Sequence, residues 1–181
     1  MKKIILFAAM LLLFVDCRTY RAFPVFSLDR VTINNNVQTQ AISGNTFENE
    51  QFSISISANY NFLSLMVDNK TAMNQYLVWD ESSLVDIKGV SQKIVPGGIR
   101  RRDAERSTVP TPIPERSKIN VSVYRSDEIP FLPKTGRKGK LVNYYNKEIG
   151  NKMKLHLLFR TSEGERTTCV CELKLDNIRP R

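Results

Sequence analysis

Residues 52–58 alternate strictly between apolar and small polar side chains, and this pattern constrains the fold more than any other feature of the chain. Phe52, Ile54 and Ile56 are separated by serines. Successive side chains of a β-strand point to opposite faces, so the pattern predicts a strand that buries one face and leaves its hydroxyls in solvent. Strands with one wet face are typical of antiparallel sheets.

Further strands are predicted along the chain. An apolar run at 62–67 stops at Asp68, and a third run holds Trp79, the only tryptophan, whose large ring is expected to anchor the core. Residues 119–124 alternate again. The clearest pattern is a terminal hairpin whose core-facing residues are Met153, Leu155, Leu157, Phe159, Cys169, Cys171, Leu173 and Leu175. About seven strands are expected, which indicates an all-β, antiparallel protein.

The first 17 residues have the composition of an export signal. Lys2 and Lys3 precede an apolar run of twelve residues at 4–15, which stops at Asp16 and Cys17. Twelve apolar residues are too few for a helix to span a bilayer. A buried core helix does not suit this run either, because the run is apolar on all sides and has no capping residue. We therefore expect residues 1–17 to be a signal peptide.

Cys17 ends this segment, and no Ala-x-Ala-like cleavage site lies nearby. The segment resembles a bacterial lipoprotein signal, which implies that Cys17 becomes the lipidated first residue of the mature chain. Two residues differ from the usual lipoprotein signal: Leu13 lies one position too early, and Asp16 stands where Gly, Ala or Ser is usual. The alternative is a soluble secreted protein with a free Cys17.

The rest of the chain divides into two parts. Residues 18–50 are expected to form a tether and an irregular N-terminal segment, because Pro24 suits only an edge strand and turn-forming residues occupy 34–36 and 43–45. Residues 51–181 are expected to form the β-domain. A mature chain of about 160 residues is long enough to bury a core without disulfides.

The chain of 181 residues has a net charge of +9, and loss of Lys2, Lys3 and Asp16 with the signal leaves +8. Such a charge favours anionic partners, although an exported protein would rarely meet nucleic acid. Two segments concentrate the charge. They are the arginine cluster (Arg100, Arg101 and Arg102) and the basic segment (Lys134, Arg137, Lys138 and Lys140). Guanidinium groups suit phosphate and carboxylate, so these seven residues are candidate anion-binding residues; the alternative is two solvated loops.

Residue sets that carry catalysis are missing from the sequence. A single histidine, His156, provides neither a two-histidine metal site nor a triad, so we expect no metal, no cofactor and no enzyme. Cys169 and Cys171 are two strand positions apart, at the upper limit of disulfide geometry, and are expected to be buried thiols.

One longer pattern resembles a known group of proteins. Residues 67–71, then 77–86, Gly89, and Pro112-Ile113-Pro114 ahead of a strand are similar to a recurrent pattern in small bacterial lipoproteins of uncharacterised function. The resemblance covers residues 52–130. It implies an immunoglobulin-like β-sandwich, preceded by the signal segment, and this fold agrees with about seven short strands. It implies no catalytic residues.

The expected function is that of an envelope-anchored lipoprotein, held at the outer membrane through Cys17, that serves as a non-catalytic binding or scaffolding module. Its expected partners are anionic lipid or glycan surfaces or another envelope protein. The alternatives are a carrier for an amphiphilic anion such as a lipid and, as the least favoured, an exported hydrolase. A large apolar cavity between the two basic segments would favour the carrier, whereas a filled core would favour the binding module.

Overall fold

The computed structural model describes residues 22–38, 42–59, 62–128 and 149–180, which contain thirteen β-strands and three short 3₁₀ helices. The strands are β1 (Ala22–Ile33), β2 (Asn36–Gln38), β3 (Ile42–Ser43), β4 (Thr46–Glu48), β5 (Phe52–Ala58), β6 (Leu63–Asn69), β7 (Gln75–Leu77), β8 (Ser83–Val85), β9 (Ser91–Pro96), β10 (Thr111–Ile113), β11 (Lys118–Arg125), β12 (Lys152–Thr161) and β13 (Arg166–Pro180). The 3₁₀ helices cover Trp79–Glu81, Arg101–Asp103 and Ser126–Glu128.

The strands pair in antiparallel fashion, so the predicted all-β, antiparallel class is confirmed. Hydrogen bonds connect them in the order β2-β1-β13-β12-β8-β9-β11-β6-β5-β4-β3, and β7 joins β10 to β12. Strand β9 links the two halves of the sheet, because residues 91–93 pair with β8 and residues 94–96 pair with β11. The predicted number of about seven strands is too low. Six of the thirteen strands have only two or three residues, too few for an alternating pattern to reveal.

The sheet curls until its two ends approach each other. Strands β2 and β3 are the ends of the hydrogen-bonded path, yet Gln38 and Ile42 are only four chain steps apart, which span at most about 14 Å. Strand β1 also contacts β3, β4 and β5, although it is hydrogen-bonded to none of them. The hydrophobic core therefore lies inside the curled sheet, enclosed by its inward-facing side chains.

The core confirms the two strongest sequence predictions. Phe52, Ile54 and Ile56 are buried on one face of β5. Trp79 is fully buried, but it lies in a 3₁₀ helix and not in a strand as expected. Its indole Nε1–H donates a hydrogen bond to Thr111 Oγ1 at 2.8 Å, which fixes the ring against β10.

The described residues 22–38 and 42–48, which belong to the segment expected to be irregular, form β1 to β4 instead. Register shifts interrupt the pairing of β1 with β13 between Val25 and Phe26 and between Leu28 and Arg30. A bulge changes the face to which later side chains point, so the buried residues of β1 do not follow a single alternation. Because of this change of phase, the alternation of apolar residues did not predict the strand. The predicted turn is present at Asn34 and Asn35, whose φ angles of 45° and 67° match a tight hairpin.

The terminal hairpin of β12 and β13 is confirmed, with all eight predicted core residues buried. Both of its strands are interior strands of the sheet, because β13 lies between β1 and β12, and β12 also pairs with β8 and β7. The thiols of Cys169 and Cys171 are free, buried and 3.7 Å apart, as the sequence predicted.

A buried asparagine joins three parts of the chain. Asn69 is only 1% exposed, and its amide Nδ2 donates to the carbonyl oxygens of Met73 (2.8 Å), Ile113 (3.1 Å) and Pro114 (2.9 Å). Its Oδ1 accepts hydrogen bonds from the backbone N–H and the hydroxyl of Thr71. The side chain thereby ties the end of β6 to the following loop and to the end of β10.

Candidate functional site

The arginine cluster lies on the loop between β9 and β10, and its three side chains are exposed. Arg101 and Arg102 begin the 3₁₀ helix Arg101–Asp103. The carboxylate of Asp103 lies 3.5 Å from Arg102 Nε and 3.2 Å from Arg106 Nη1, and all of these side chains are largely solvated. Exposed ion pairs of this kind are weak, so Asp103 offsets only part of the charge of Arg102 and Arg106.

The loop that carries the arginine cluster is packed on the outer surface of the sheet. Ala104 is buried against Val95, and Ile99 and Tyr124 pack beside them. At the start of the loop, the Gly97 N–H donates to Ser122 O at 2.7 Å. The loop expected to be wholly exposed therefore has a buried base, and it presents the arginines on a fixed support.

Asp80 holds the far end of the same loop. Its carboxylate accepts hydrogen bonds from the Ser107 hydroxyl (2.5 Å) and the Thr108 N–H (3.0 Å), and Lys93 Nζ lies 2.9 Å from it. Lys93 Nζ also donates to the carbonyl oxygen of Arg106. Burial raises the pKa of Asp80, but Lys93, Ser107 and Thr108 outweigh burial and hold this pKa below its ordinary value. Asp80 is therefore a structural anion.

The other predicted site residues lie outside the described part of the chain. These are Cys17 and the basic segment, Lys134, Arg137, Lys138 and Lys140. The described residues on either side of 129–148 are placed. The 3₁₀ helix Ser126–Glu128 contacts the 3₁₀ helix of the arginine cluster, and the Gly150 N–H donates to Leu175 O at 2.7 Å. The last described residues before this stretch, Ser126–Glu128, therefore lie beside the arginine cluster.

A buried network of charged side chains lies next to the 3₁₀ helix Ser126–Glu128, and it was not predicted from the sequence. Arg125 is 4% exposed; its Nε and Nη2 donate to the carboxylate of Asp127 at 3.1 and 2.9 Å, and its Nη1 lies 3.9 Å from Asp86 Oδ2. Asp86 Oδ1 also accepts the N–H groups of Lys88 and Val90. Arg125 is two positions after the buried Val123 and therefore points to the same face of β11. An arginine at a core-facing strand position could have indicated a buried ion pair.

The described residues offer little for chemistry. His156 is half-buried, and burial, followed by the nearby Lys154 charge, lowers its pKa. The hydrogen bond to Cys169, together with burial, raises the pKa of the Cys171 thiol, which disfavours the reactive thiolate. Across the described ranges, no cluster of three His, Cys, Asp or Glu side chains is arranged to hold a metal ion.

Two cavities differ in character. An apolar cavity inside the core, lined by residues that include Phe52, Val67 and Phe159, has a volume of about 10 Å³. A polar groove of about 410 Å³ lies at the turn between β12 and β13, lined by residues that include Tyr76, Arg160 and Glu163. The core cavity has room for about one water molecule at most.

Comparisons of the chain with protein families, with curated proteins and with solved structures give no significant match. Within the described residues, no helix has the length and hydrophobicity needed to cross a membrane.

Proposed function

We propose that the protein is an envelope-anchored lipoprotein that acts as a non-catalytic binding or scaffolding module. One observation carries the proposal: the arginine cluster projects from a loop whose base is buried and whose far end is held by Asp80. A fixed support reduces the ordering that binding would require, so the three guanidinium groups are prepared to meet an anionic surface. Export through residues 1–17, lipidation of Cys17 and location at the outer membrane are parts of this proposal.

The immunoglobulin-like relationship is a hypothesis within this proposal. It is supported by the antiparallel strands on opposite sides of one hydrophobic core, with β1 facing β5. Binding to a lipid or glycan surface needs no cofactor, so the proposal includes none.

The carrier alternative requires room for the apolar part of a lipid. The apolar cavity lined by Phe52, Val67 and Phe159 measures about 10 Å³, far less than the 300 Å³ or more that ligand pockets typically enclose. The exported hydrolase requires a nucleophile with an activated base, and His156 lies on the outer face of β12, opposite Ser83 and Val170. Among the described residues, neither alternative gains a supporting observation, and we favour the binding module.

Lipidation is tested by metabolic labelling with a fatty-acid analogue. The wild-type chain should take up label and mature, whereas Cys17→Ser should accumulate as an unprocessed, unlabelled precursor. Cys169→Ser and Cys171→Ser serve as controls, because buried thiols in the domain should not alter labelling. A wild-type chain that matures without label would show that Cys17 is not the lipidated residue.

The arginine cluster is tested by binding to vesicles of the unlipidated chain, produced without residues 1–16 and carrying Cys17→Ser. Each basic residue near an anionic membrane contributes about 1 kcal/mol, an attraction that salt screens. Binding to anionic vesicles should be measurable at low salt and mostly lost by a few hundred millimolar. Replacing all three arginines with serine should weaken binding more than replacing three scattered lysines. Equal binding to neutral and anionic vesicles would show that the arginine cluster is only a solvated loop and does not bind anions.

A further inference from the structure

Four cationic side chains occupy neighbouring positions on the outer face of three adjacent strands, β1, β13 and β12. This cationic face consists of Arg30, Lys152, Lys154 and Lys174. Two rows cross the strands: Ser27 opposite Lys174 opposite Lys152, and Arg30 opposite Glu172 opposite Lys154. Neighbouring strands lie about 5 Å apart, so the charges form a compact group. The core-facing residues between them are buried, which fixes these side chains on the opposite, outer side.

Two acids lie among the four cations, and each is already paired. Asp29 Oδ2 lies 2.6 Å from Lys152 Nζ, and Glu172 Oε1 lies 3.3 Å from Lys154 Nζ. Within the described part of the chain, Arg30 and Lys174 form no ion pair. The hydrogen bond from Lys152 lowers the pKa of Asp29 most; burial opposes it, and the charges of Lys152, Lys174 and Arg30 lower it further. The aspartate thus lies within the positive field of three cations.

This face adjoins the place where the chain begins β1. Ala22, the first residue of β1, pairs with Pro180, and Ser27 pairs with Lys174. Five chain steps separate Cys17 from Ala22 and span at most about 17 Å. A lipid on Cys17 would therefore hold the cationic face close to the membrane surface.

We propose that the cationic face docks on the anionic headgroups of the membrane that holds the lipid anchor, with Arg30 and Lys174 as the two cations free to engage phosphate. The inference rests on the proposed anchoring at Cys17. A compact group of cations suits a layer of anionic headgroups, whereas the arginine cluster is a separate, projecting contact. Docking at this face fixes the orientation of the domain as well as its distance from the bilayer.

The test measures binding of the unlipidated chain, produced without residues 1–16 and carrying Cys17→Ser, to vesicles of phosphatidylcholine, with and without phosphatidylglycerol, at low salt. The double variant Arg30→Gln/Lys174→Gln removes the two unpaired cations. Each basic residue near the surface is worth roughly fivefold in partitioning, so the double variant should bind roughly 30-fold more weakly to the anionic vesicles. The control is Arg116→Gln/Lys118→Gln, which removes the same charge at the start of β11, where Lys118 Nζ lies 3.0 Å from Asp68 Oδ2, and should retain most of the binding.

Orientation supplies a second readout. A fluorophore on Thr32→Cys, on the outer side of β1, should be quenched by brominated phosphatidylglycerol, whereas one on Gln51→Cys, in the loop before β5, should not. The buried native thiols make labelling selective. If both double variants lose the same binding, or if both fluorophores respond alike, the cationic face does not dock.

Failure of this inference can be told apart from failure of the anchor. If Cys17 takes up lipid but Arg30→Gln/Lys174→Gln binds as wild type does, this inference is wrong and the anchored module stands. If Cys17 takes up no lipid but the double variant loses binding selectively, the cationic face stands as a membrane contact without the anchor.

Discussion

Replacing Asn69 with aspartate tests whether its hydrogen bonds hold one end of the fold together. The amide Nδ2 donates to three carbonyl oxygens, and Oδ1 accepts two hydrogen bonds from Thr71, in a side chain only 1% exposed. Aspartate has the same shape but no amide donor, so a carboxylate would face three carbonyl oxygens. The charge would also be buried without a cation, which is costly.

The magnitude follows from these contacts. Each intramolecular hydrogen bond contributes about 1 kcal/mol net, and a buried polar group left without a partner costs about 1–3 kcal/mol. Asn69→Ala should therefore lower the free energy of unfolding by about 3–5 kcal/mol, and Asn69→Asp should lower it by at least as much at pH 7.

Acid should partly restore Asn69→Asp. Burial and the facing carbonyl oxygens raise the pKa of an aspartate here above its unfolded value, so the folded state binds the proton more tightly. The penalty is full above the folded-state pKa and shrinks as pH falls through it, because the neutral carboxyl can donate one hydrogen bond.

Urea unfolding followed by Trp79 fluorescence at pH 7 and pH 5 measures the difference between variant and wild type at each pH. Asn120→Asp is the matched control, because Asn120 lies on the neighbouring strand β11 and is exposed. A loss below about 1 kcal/mol for Asn69→Asp at pH 7, or a loss that does not shrink at pH 5, would refute the reasoning.

Three further predictions concern other buried or paired groups. Trp79→Ala should lower the free energy of unfolding by about 3–5 kcal/mol. In the folded wild-type protein, the fluorescence of Trp79 should be shifted to the blue of free indole, and emission near that of free indole would contradict its burial. Cys169 and Cys171 should not react with a thiol reagent at pH 8 until urea unfolds the chain, and rapid reaction of the folded protein would contradict their placement. Asp80 has a lowered pKa, so it stabilises the fold above its unfolded pKa of 3.8 and loses that effect as pH falls through its folded value. Asp80→Asn should therefore weaken the acid dependence of unfolding below about pH 5, and an unchanged profile would show that Asp80 is unpaired in solution.

The sequence predicted the strands that keep one alternation over seven or more residues. β5, β12 and β13 are such strands, and their buried faces agree with the prediction. β1 is as long, but its two bulges change the alternation, and a fixed period cannot follow such a change. The two- and three-residue strands exist because neighbouring strands pair with them, and that pairing leaves no local trace in the sequence.

The candidate site was predicted only as a set of charges. Exposure of the arginine cluster could be foreseen, because glycine and proline surround it, but the support beneath it could not. That support depends on Asp80, which follows β7, and on Ala104, which packs against Val95 of β9. The cationic face was missed for a similar reason: Arg30 lies opposite Glu172, more than a hundred residues away, and only the pairing of β1 with β13 brings them together.

The pairing of β1 with β13 connects the fold to the proposed anchoring. β13 lies between β1 and β12, so the pairing of β1 with the rest of the sheet cannot form until residues 166–180 are available. Such long-range pairing slows folding, which agrees with the proposed export, because an exported chain crosses the membrane before it folds. Once formed, the pair places Lys174 beside Ser27, ten residues after Cys17. Ten chain steps span at most about 35 Å, so the strand order that completes the core also keeps the cationic face within reach of a lipid at Cys17.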